Sequence, residues 1–349
     1  MKPTINDIAR ISGFSKTTVS FAFNDPTRIS KDTREKILSI AEQLGYVPDP
    51  VARNLSMRKL GTIGFLIPQE ISVAFQNPYL CEVFRGIGHV SENDGHSVTV
   101  IPPRRGHLFE GAKSAAVDGF VALGLMPYMK TVQLIRHRHV PFVTIDGVAA
   151  DDIPSVNVDD YAGAAAVMRH VLDLGHRHVG ILSFHSATNQ GEAYYSGIGD
   201  LRLRGFDAAL RTVGLSSEAE EVPIVECDVS EEGGYGGTER LLTRHPEITA
   251  IVTMSDIMAI GAYAAARDRG RSIPEELSVT GFDDVPQSRL LEPGLTTIAQ
   301  PGFEKGVAAG ELLFRLLHGE EIREHRRFDG RLVPRGSAAP PRGVAPTLG

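Results

Sequence analysis

Over residues 4–44 the apolar residues recur at helical spacing in three short blocks, and from Gly61 onward they gather into short unbroken runs. In the first block Ile5, Ile8 and Ala9 share one face, with Thr4 at the N-cap position and Asp7 three residues on to answer it. Gly13 supplies the left-handed residue that ends a helix. Ser15 opens a second block, in which Val19 and Ala22 point inward while Lys16, Thr17, Thr18, Ser20 and Phe21 point elsewhere. After the turn Asp25-Pro26-Thr27-Arg28, Ser30 caps a third block whose stripe is Ile37, Leu38, Ile40, Ala41 and Leu44, closed by Gly45. Two short helices crossing through a glycine turn form a helix-turn-helix, which lays the start of its second helix in the major groove of DNA. The alternative, on spacing alone, is a helical hairpin with a solvated Ser/Thr face.

The later runs TIGFLIP, HSVTVIP, DGFVALG and PFVTID predict four buried strands separated by helical stretches, and the pattern repeats with HVGILSF, VPIVECD, TAIVTMS and LSVTGFD. Strands alternating with helices make open parallel α/β sheets, here two in succession. Ligands bind such sheets at the carboxyl ends of the strands, where this chain places Asp146, Ser255, Asp256 and Asp283, with Arg202 from a helix start. Carboxylates and an arginine around a cleft suit a polyhydroxylated ligand, since each hydroxyl both donates and accepts. Asp283 and Asp284 have a second reading as turn or helix-capping carboxylates.

Between the blocks and the runs, Tyr46-Val47-Pro48-Asp49-Pro50 reads as an extended linker, followed by VARNLSMRKLG with almost no apolar face. The charge is −7 overall, but residues 1–60 hold 10 Lys+Arg against 6 Asp+Glu, or +4, leaving −11 for the remainder. A mildly basic head on an acidic body fits a head that meets phosphates. Two distant cysteines, Cys81 and Cys227, build neither a disulfide framework nor a four-ligand zinc site, and both read as structural thiols. No apolar run approaches a membrane span, and Met1–Thr4 lead into a capped helix without a signal-peptide core, so a cytoplasmic protein is expected.

The stretch TINDIARISGFSKTTVSFAFN resembles the amino-terminal domain of the lactose-repressor/galactose-repressor family, whose pattern is T-I-x-D-V-A-x-x-A-G-V-S-x-x-T-V-S-x-x-L-N. Further stretches similar to family signatures are Asn77-Pro78-Tyr79, Leu174-Gly175-His176, Gly281-Phe282-Asp283-Asp284, Leu295-Thr296-Thr297-Ile298-Ala299-Gln300-Pro301 and Leu332-Val333-Pro334-Arg335-Gly336-Ser337. The resemblance implies a helix-turn-helix head at 1–48, a linker and hinge helix at 49–60, and an effector-binding and dimerisation domain at 61–337. That domain has the two-lobed periplasmic-binding-protein-like α/β fold of two parallel doubly wound sheets. Its first lobe is expected at about 61–160 and 291–320, its second at about 161–290 and 321–337, with a disordered tail at 338–349.

By the same resemblance Lys16 and Thr17 are the base-reading pair; Thr4, Ser15, Thr18, Ser20, Asn24 and Ser30 are candidate phosphate contacts, and Arg28 reaches either a base or the backbone. Phe21 departs from the family's long polar residue: it either touches a thymine methyl or packs under its helix. Leu55, with Ala52 and Arg53, takes the place of the hinge-helix wedge that enters the minor groove, which requires two hinges and so a homodimer. Phe75, Asn77 and Gln300 join Asp146, Arg202, Ser255, Asp256 and Asp283 at the effector site, where Ser255 replaces an asparagine common in the family. The segment 185–201, with Tyr194 and Tyr195, departs from the family pattern and reads as a flap over the cleft. No cofactor or metal is expected. The implied function is a DNA-binding transcription regulator, most simply a repressor, whose operator affinity is set by a small molecule of the sugar or nucleoside class. The rivals are a transporter's solute-binding module, which a DNA head argues against, and a sugar-acting enzyme, for which no phosphate loop, nucleophile elbow or zinc motif is present.

Overall fold

Ile8, Val19, Ala22, Ile37 and Ala41 close the core of the first unit, drawn from helices α1 (Ile5–Ser12), α2 (Lys16–Asn24) and α3 (Lys31–Gln43). The computed structural model describes residues 3–48, 59–185, 196–217 and 221–342. Its two units are Met1–Gly61 and Thr62–Gly349. In the head, the Asp7 carboxylate accepts the Thr4 amide at 3.0 Å, and Gly13 ends α1 in the left-handed region at φ 77°. Ser15 and Ser30 cap α2 and α3, accepting the amides of Thr18 at 3.1 Å and Thr33 at 3.2 Å. Leu38, expected in the α3 stripe, is only half-buried and lies off this core, which Phe14, Phe23 and Ile29 complete instead.

In the second unit, among the described residues, β1 (Thr62–Leu66), β2 (Ser97–Ile101), β3 (Gly119–Leu123), β4 (Phe142–Ile145), β5 (Ser155–Val158) and β11 (His325–Phe328) form one parallel sheet in the order β2-β1-β3-β4-β5-β11. A second parallel sheet, β7-β6-β8-β9, is built from β6 (Val179–Ser183), β7 (Ile224–Glu226), β8 (Ala250–Thr253) and β9 (Ser278–Thr280). The antiparallel pair β10 (Thr297–Ala299) and β12 (Arg331–Val333) extends it through bridges from Thr280 to Thr296 and from Asp283 to Ala299. In each sheet the first strand has neighbours on both sides, which opens a crevice at the carboxyl ends.

Two expectations shift. β2 is an edge strand with alternating exposure, not a buried one, because only one of its faces is covered. β11 joins the first sheet and β10 the second, so strand pairing moves the later crossings away from 291 and 321. The chain is also held down past Ser337: the Ala339 amide donates to Ser278 Oγ at 3.1 Å, and its carbonyl oxygen lies 2.9 Å from His176 Nε2. The start of the expected disordered tail is therefore packed on the second sheet, while residues 343–349 lie outside the described ones. Burial pushes the Cys227 thiol up to about 12, in keeping with a structural thiol. Among the described residues no helix is long and apolar enough to cross a membrane.

Helices α4 (Ile71–Ala74), α5 (Pro78–Asp94), α6 (Leu108–Ser114) and α7 (Lys130–His137) link the strands of the first sheet; α8 (Asp160–Asp173) crosses from the first sheet to the second, and α9 (Ser196–Arg211), α10 (Glu231–Arg244) and α11 (Asp256–Asp268) link the strands of the second. The last helix, α12 (Gly302–Leu317), returns to the first lobe and packs on α5, β3 and β4. The two backbones meet at Gly86 and Gly306: a Cβ on Gly306 would stand 2.1 Å from the Val83 carbonyl oxygen, and one on Gly86 2.1 Å from that of Phe303. Gly306→Ala is expected to force the helices apart and cost about 1–3 kcal/mol in denaturant unfolding. Gly88→Ala, in the same helix α5 but facing open space, should instead be neutral or stabilising by up to about 1 kcal/mol. Equal effects at the two sites would refute the close approach.

Candidate functional site

Lys16 and Thr17 open α2 and are exposed, as are Ser15, Arg28, Thr4 and Ser30. The Ser15 and Ser30 hydroxyls cap helices, and Thr18 Oγ1 lies 2.9 Å from Ser15 Oγ, so these groups present a fixed helix start. Ser20 Oγ accepts from Asn24 Nδ2 at 3.2 Å. Phe21 is half-buried but absent from the head core. The Arg28 guanidinium sits 5.2 Å from its ring centre while pairing with Asp25 at 2.8 Å. The ring thus steers Arg28 on the outer face of the head. Ala52, Arg53 and Leu55 lie outside the described residues, as do residues 186–195 of the expected flap.

The crevice between the two sheets holds a partly open cavity. Gln69, Asn77, Tyr79, Leu80 and Asp146 line it from the first lobe; Phe184, Ile198, Arg202, Val229, Ser255, Asp283 and Gln300 close it from the second lobe and the crossing segment. Asp146 follows β4 and Asp283 follows β9, both at positive φ (55° and 142°), strain of the kind that collects at binding sites. Arg202 is 2% exposed: its Nε donates to Asp160 at 2.8 Å, its Nη1 donates to the Met254 carbonyl, and its plane lies 3.6 Å from the centre of Phe282. Nη2 keeps its two protons without a partner among the described residues. So does the buried Ser255 hydroxyl, the lining side chain whose oxygen is unpaired.

Residues 4–49 match the family model described as bacterial regulatory proteins, lacI family, and residues 168–338 match a periplasmic binding protein-like domain. The HTH-type transcriptional regulator IpsA of Corynebacterium glutamicum is 31% identical over 356 residues, aligned with 97% of this chain and 98% of that protein. The chain belongs to the lacI family. Among solved structures, a complex of the transcriptional regulator CelR with cellobiose is 25% identical, with a TM-score of 0.71 over 97% of this chain and 100% of that one. A lacI-family regulator from Enterococcus faecium with bound ribose is 26% identical, with a TM-score of 0.69 over 80% of this chain and 99% of that one. This lacI-family chain is a DNA-binding transcription regulator and not an enzyme.

Two residues expected at the effector site of this regulator stand elsewhere. Phe75, at the C-cap of α4, is 43% exposed, its ring edge-on to Phe84 at 5.8 Å and outside the cavity lining. Asp256 is fully buried behind the cavity, where its carboxylate accepts from Val285 N at 3.0 Å, Ser288 Oγ at 2.5 Å and Thr297 Oγ1 at 2.6 Å. It fastens the loop after β9. Conversely, Tyr79, Leu80, Phe184, Ile198 and Val229 line the cavity without having been singled out for it. Tyr79 stood within the quoted Asn-Pro-Tyr signature; the apolar four carry no signal that separates them from core residues. Burial, then the neighbouring Asp256, pushes Asp283 up to about 8, while burial and then Asp146 hold the Tyr79 phenol well above its ordinary value.

Burial thus favours the protonated form of Asp283. Its folded value lies above its unfolded one, so the stability it lends is present at low pH. It is lost as pH climbs from about 4, the unfolded value, to about 8. Asp283→Asn keeps the side chain neutral. Its melting temperature, taken relative to the unaltered protein, should rise over that window and level off above it. A difference independent of pH removes the proton from Asp283. On the head, Lys16→Ala should weaken binding to a duplex selected from a random pool by about five- to a hundred-fold with unfolding unchanged, since the side chain is exposed. An unchanged affinity would take base reading away from Lys16.

Proposed function

We propose that this regulator acts as a homodimer on a palindromic operator, with Lys16 and Thr17 reading bases and Leu55 wedging the minor groove. Its operator affinity is then set by an uncharged polyhydroxyl effector, a sugar or nucleoside, most simply as the ligand of a repressor. Two-fold protein symmetry matches two-fold operator symmetry. The ligand class rests chiefly on charge balance around the cavity. Arg202 pairs with Asp160, Lys305 pairs with Asp146, and burial favours the uncharged form of Asp283. A neutral ligand preserves that balance and offers hydroxyls to Ser255, Arg202 Nη2 and the carboxylates. A phosphate would stand against the Asp146 carboxylate, with both buried cations already paired. Ribose and cellobiose, bound by the two related regulators, belong to the same chemical class.

Effector and operator are coupled by linkage: a ligand that loosens DNA binding must itself be bound more weakly by the DNA complex. Ribose, cellobiose and adenosine, run beside ribose 5-phosphate and glucose 6-phosphate in a thermal-shift series, test the class, because a ligand of the folded state raises Tm by mass action. An uncharged compound is expected to raise it and then to shift affinity for the selected duplex. Stabilisation by a phosphorylated compound alone would overturn the charge argument.

A further inference from the structure

Lys305 lies in the first turn of α12, wholly buried, and does not line the cavity. A buried ammonium is costly unless every proton finds an acceptor. Here Nζ donates to Asp146 Oδ1 and, at 2.9 Å, to Gln300 Oε1, and it stands 5.2 Å from the centre of the Tyr79 ring. Tyr79 donates its hydroxyl to Asp146 Oδ2 at 2.5 Å, and Gln300 Nε2 donates to Asp283 Oδ1 at 2.5 Å. The result is one chain of hydrogen bonds, Tyr79–Asp146–Lys305–Gln300–Asp283. It runs from the first lobe to the second under the cavity, and all its members but Lys305 face that cavity.

The lysine sets the direction of this chain. An ammonium has donors only, so the Gln300 amide must turn its oxygen to Lys305 and its nitrogen to Asp283. We propose that Lys305 is a positioning residue that holds Gln300 in this one orientation and Asp146 as a fixed acceptor. It thereby ties the two lobes together across the cavity floor and sets the hydrogen-bonding pattern an effector meets. Asp146 and Lys305 belong to the first lobe and Asp283 to the second, with Gln300 directly after β10 between them. Breaking the tie frees the lobes to separate while leaving each core intact. An effector bound at the floor gains from lobes already aligned, since less ordering remains to be done on binding. The selectivity part rests on the effector reading above; the tie does not.

The test uses the full chain without ligand. Spin labels are placed on cysteines introduced by Lys113→Cys in the first lobe and Glu232→Cys in the second, both exposed positions, with Cys81→Ser to remove the accessible native thiol. The distance between labels is compared for the otherwise unaltered protein, Lys305→Met, Gln300→Ala and Leu312→Ala. Leu312 lies on the same helix in the first lobe's core and serves as a packing control. Lys305→Met and Gln300→Ala are both expected to broaden the distribution toward longer separations, while Leu312→Ala lowers Tm and leaves it in place. Should Lys305→Met fail to fold, Lys305→Met combined with Asp146→Asn removes both charges, and Gln300→Ala still breaks the next link. Superimposable distributions for Gln300→Ala and the lysine variant that folds, or equal broadening in Leu312→Ala, would overturn the tie. A broadened distribution alongside a panel in which no sugar or nucleoside raises Tm leaves the tie standing and rejects only the ligand class.

Discussion

Charge that water cannot reach governs the inside of the second unit. Arg202, Asp160, Asp146, Lys305, Asp256 and Asp283 are each 4% exposed or less, and they converge where the carboxyl ends of two sheets face each other. Solvation cannot compensate such groups, so each must find a counter-charge, a donor set or a proton. Arg202 and Lys305 take the carboxylates of Asp160 and Asp146, Asp256 takes an amide and two hydroxyls, and Asp283 accepts from Gln300 while burial favours its protonated form. The loop geometry follows from these pairings: the segment after β9 is laid down around Asp256, and α12 is registered against β4 by Lys305.

On the proposed reading, the same arrangement gives a small ligand a way to act on a protein whose DNA-binding head is a separate unit. Binding can shift an equilibrium only through differential contacts with its two states. A cavity whose walls belong to different lobes supplies such contacts, because any group that touches both Asp146 and Asp283 senses their separation. The apolar wall of Leu80, Phe184, Ile198 and Val229 adds burial without direction, and the polar groups add the direction.

Much of this was legible in the residues because local chemistry and tertiary role coincide. Thr4, Gly13, Ser15 and Ser30 punctuate the head where the helices begin and end, and all eight apolar runs became parallel strands. β5, β10, β11 and β12 escaped because polar residues interrupt or bound their short apolar stretches, as Asn157 does in β5, and His325–Phe328 is a half-exposed strand of mixed polarity. Asp256 and Asp283 could not be told apart from sequence: both are carboxylates after a strand, and only the path of the following loop decides which faces the cavity. Lys305 was hidden most completely. Between Glu304 and Gly306 it reads as a solvated helical lysine, and its partners are 159 and 5 residues away in the chain.

The late strands carry one more consequence, for the order in which the protein takes shape. β11 completes the first sheet from residues 325–328, while β12 and the Ala339 clasp complete the second from residues 331–339. Neither lobe has all its strands until the ribosome has delivered nearly all of them. The head, whose core spans only Ile8 to Ala41, has its complete set of contacts some three hundred residues sooner. During synthesis a complete helical head therefore precedes an incomplete α/β body, whose parallel sheets keep open edges for longest.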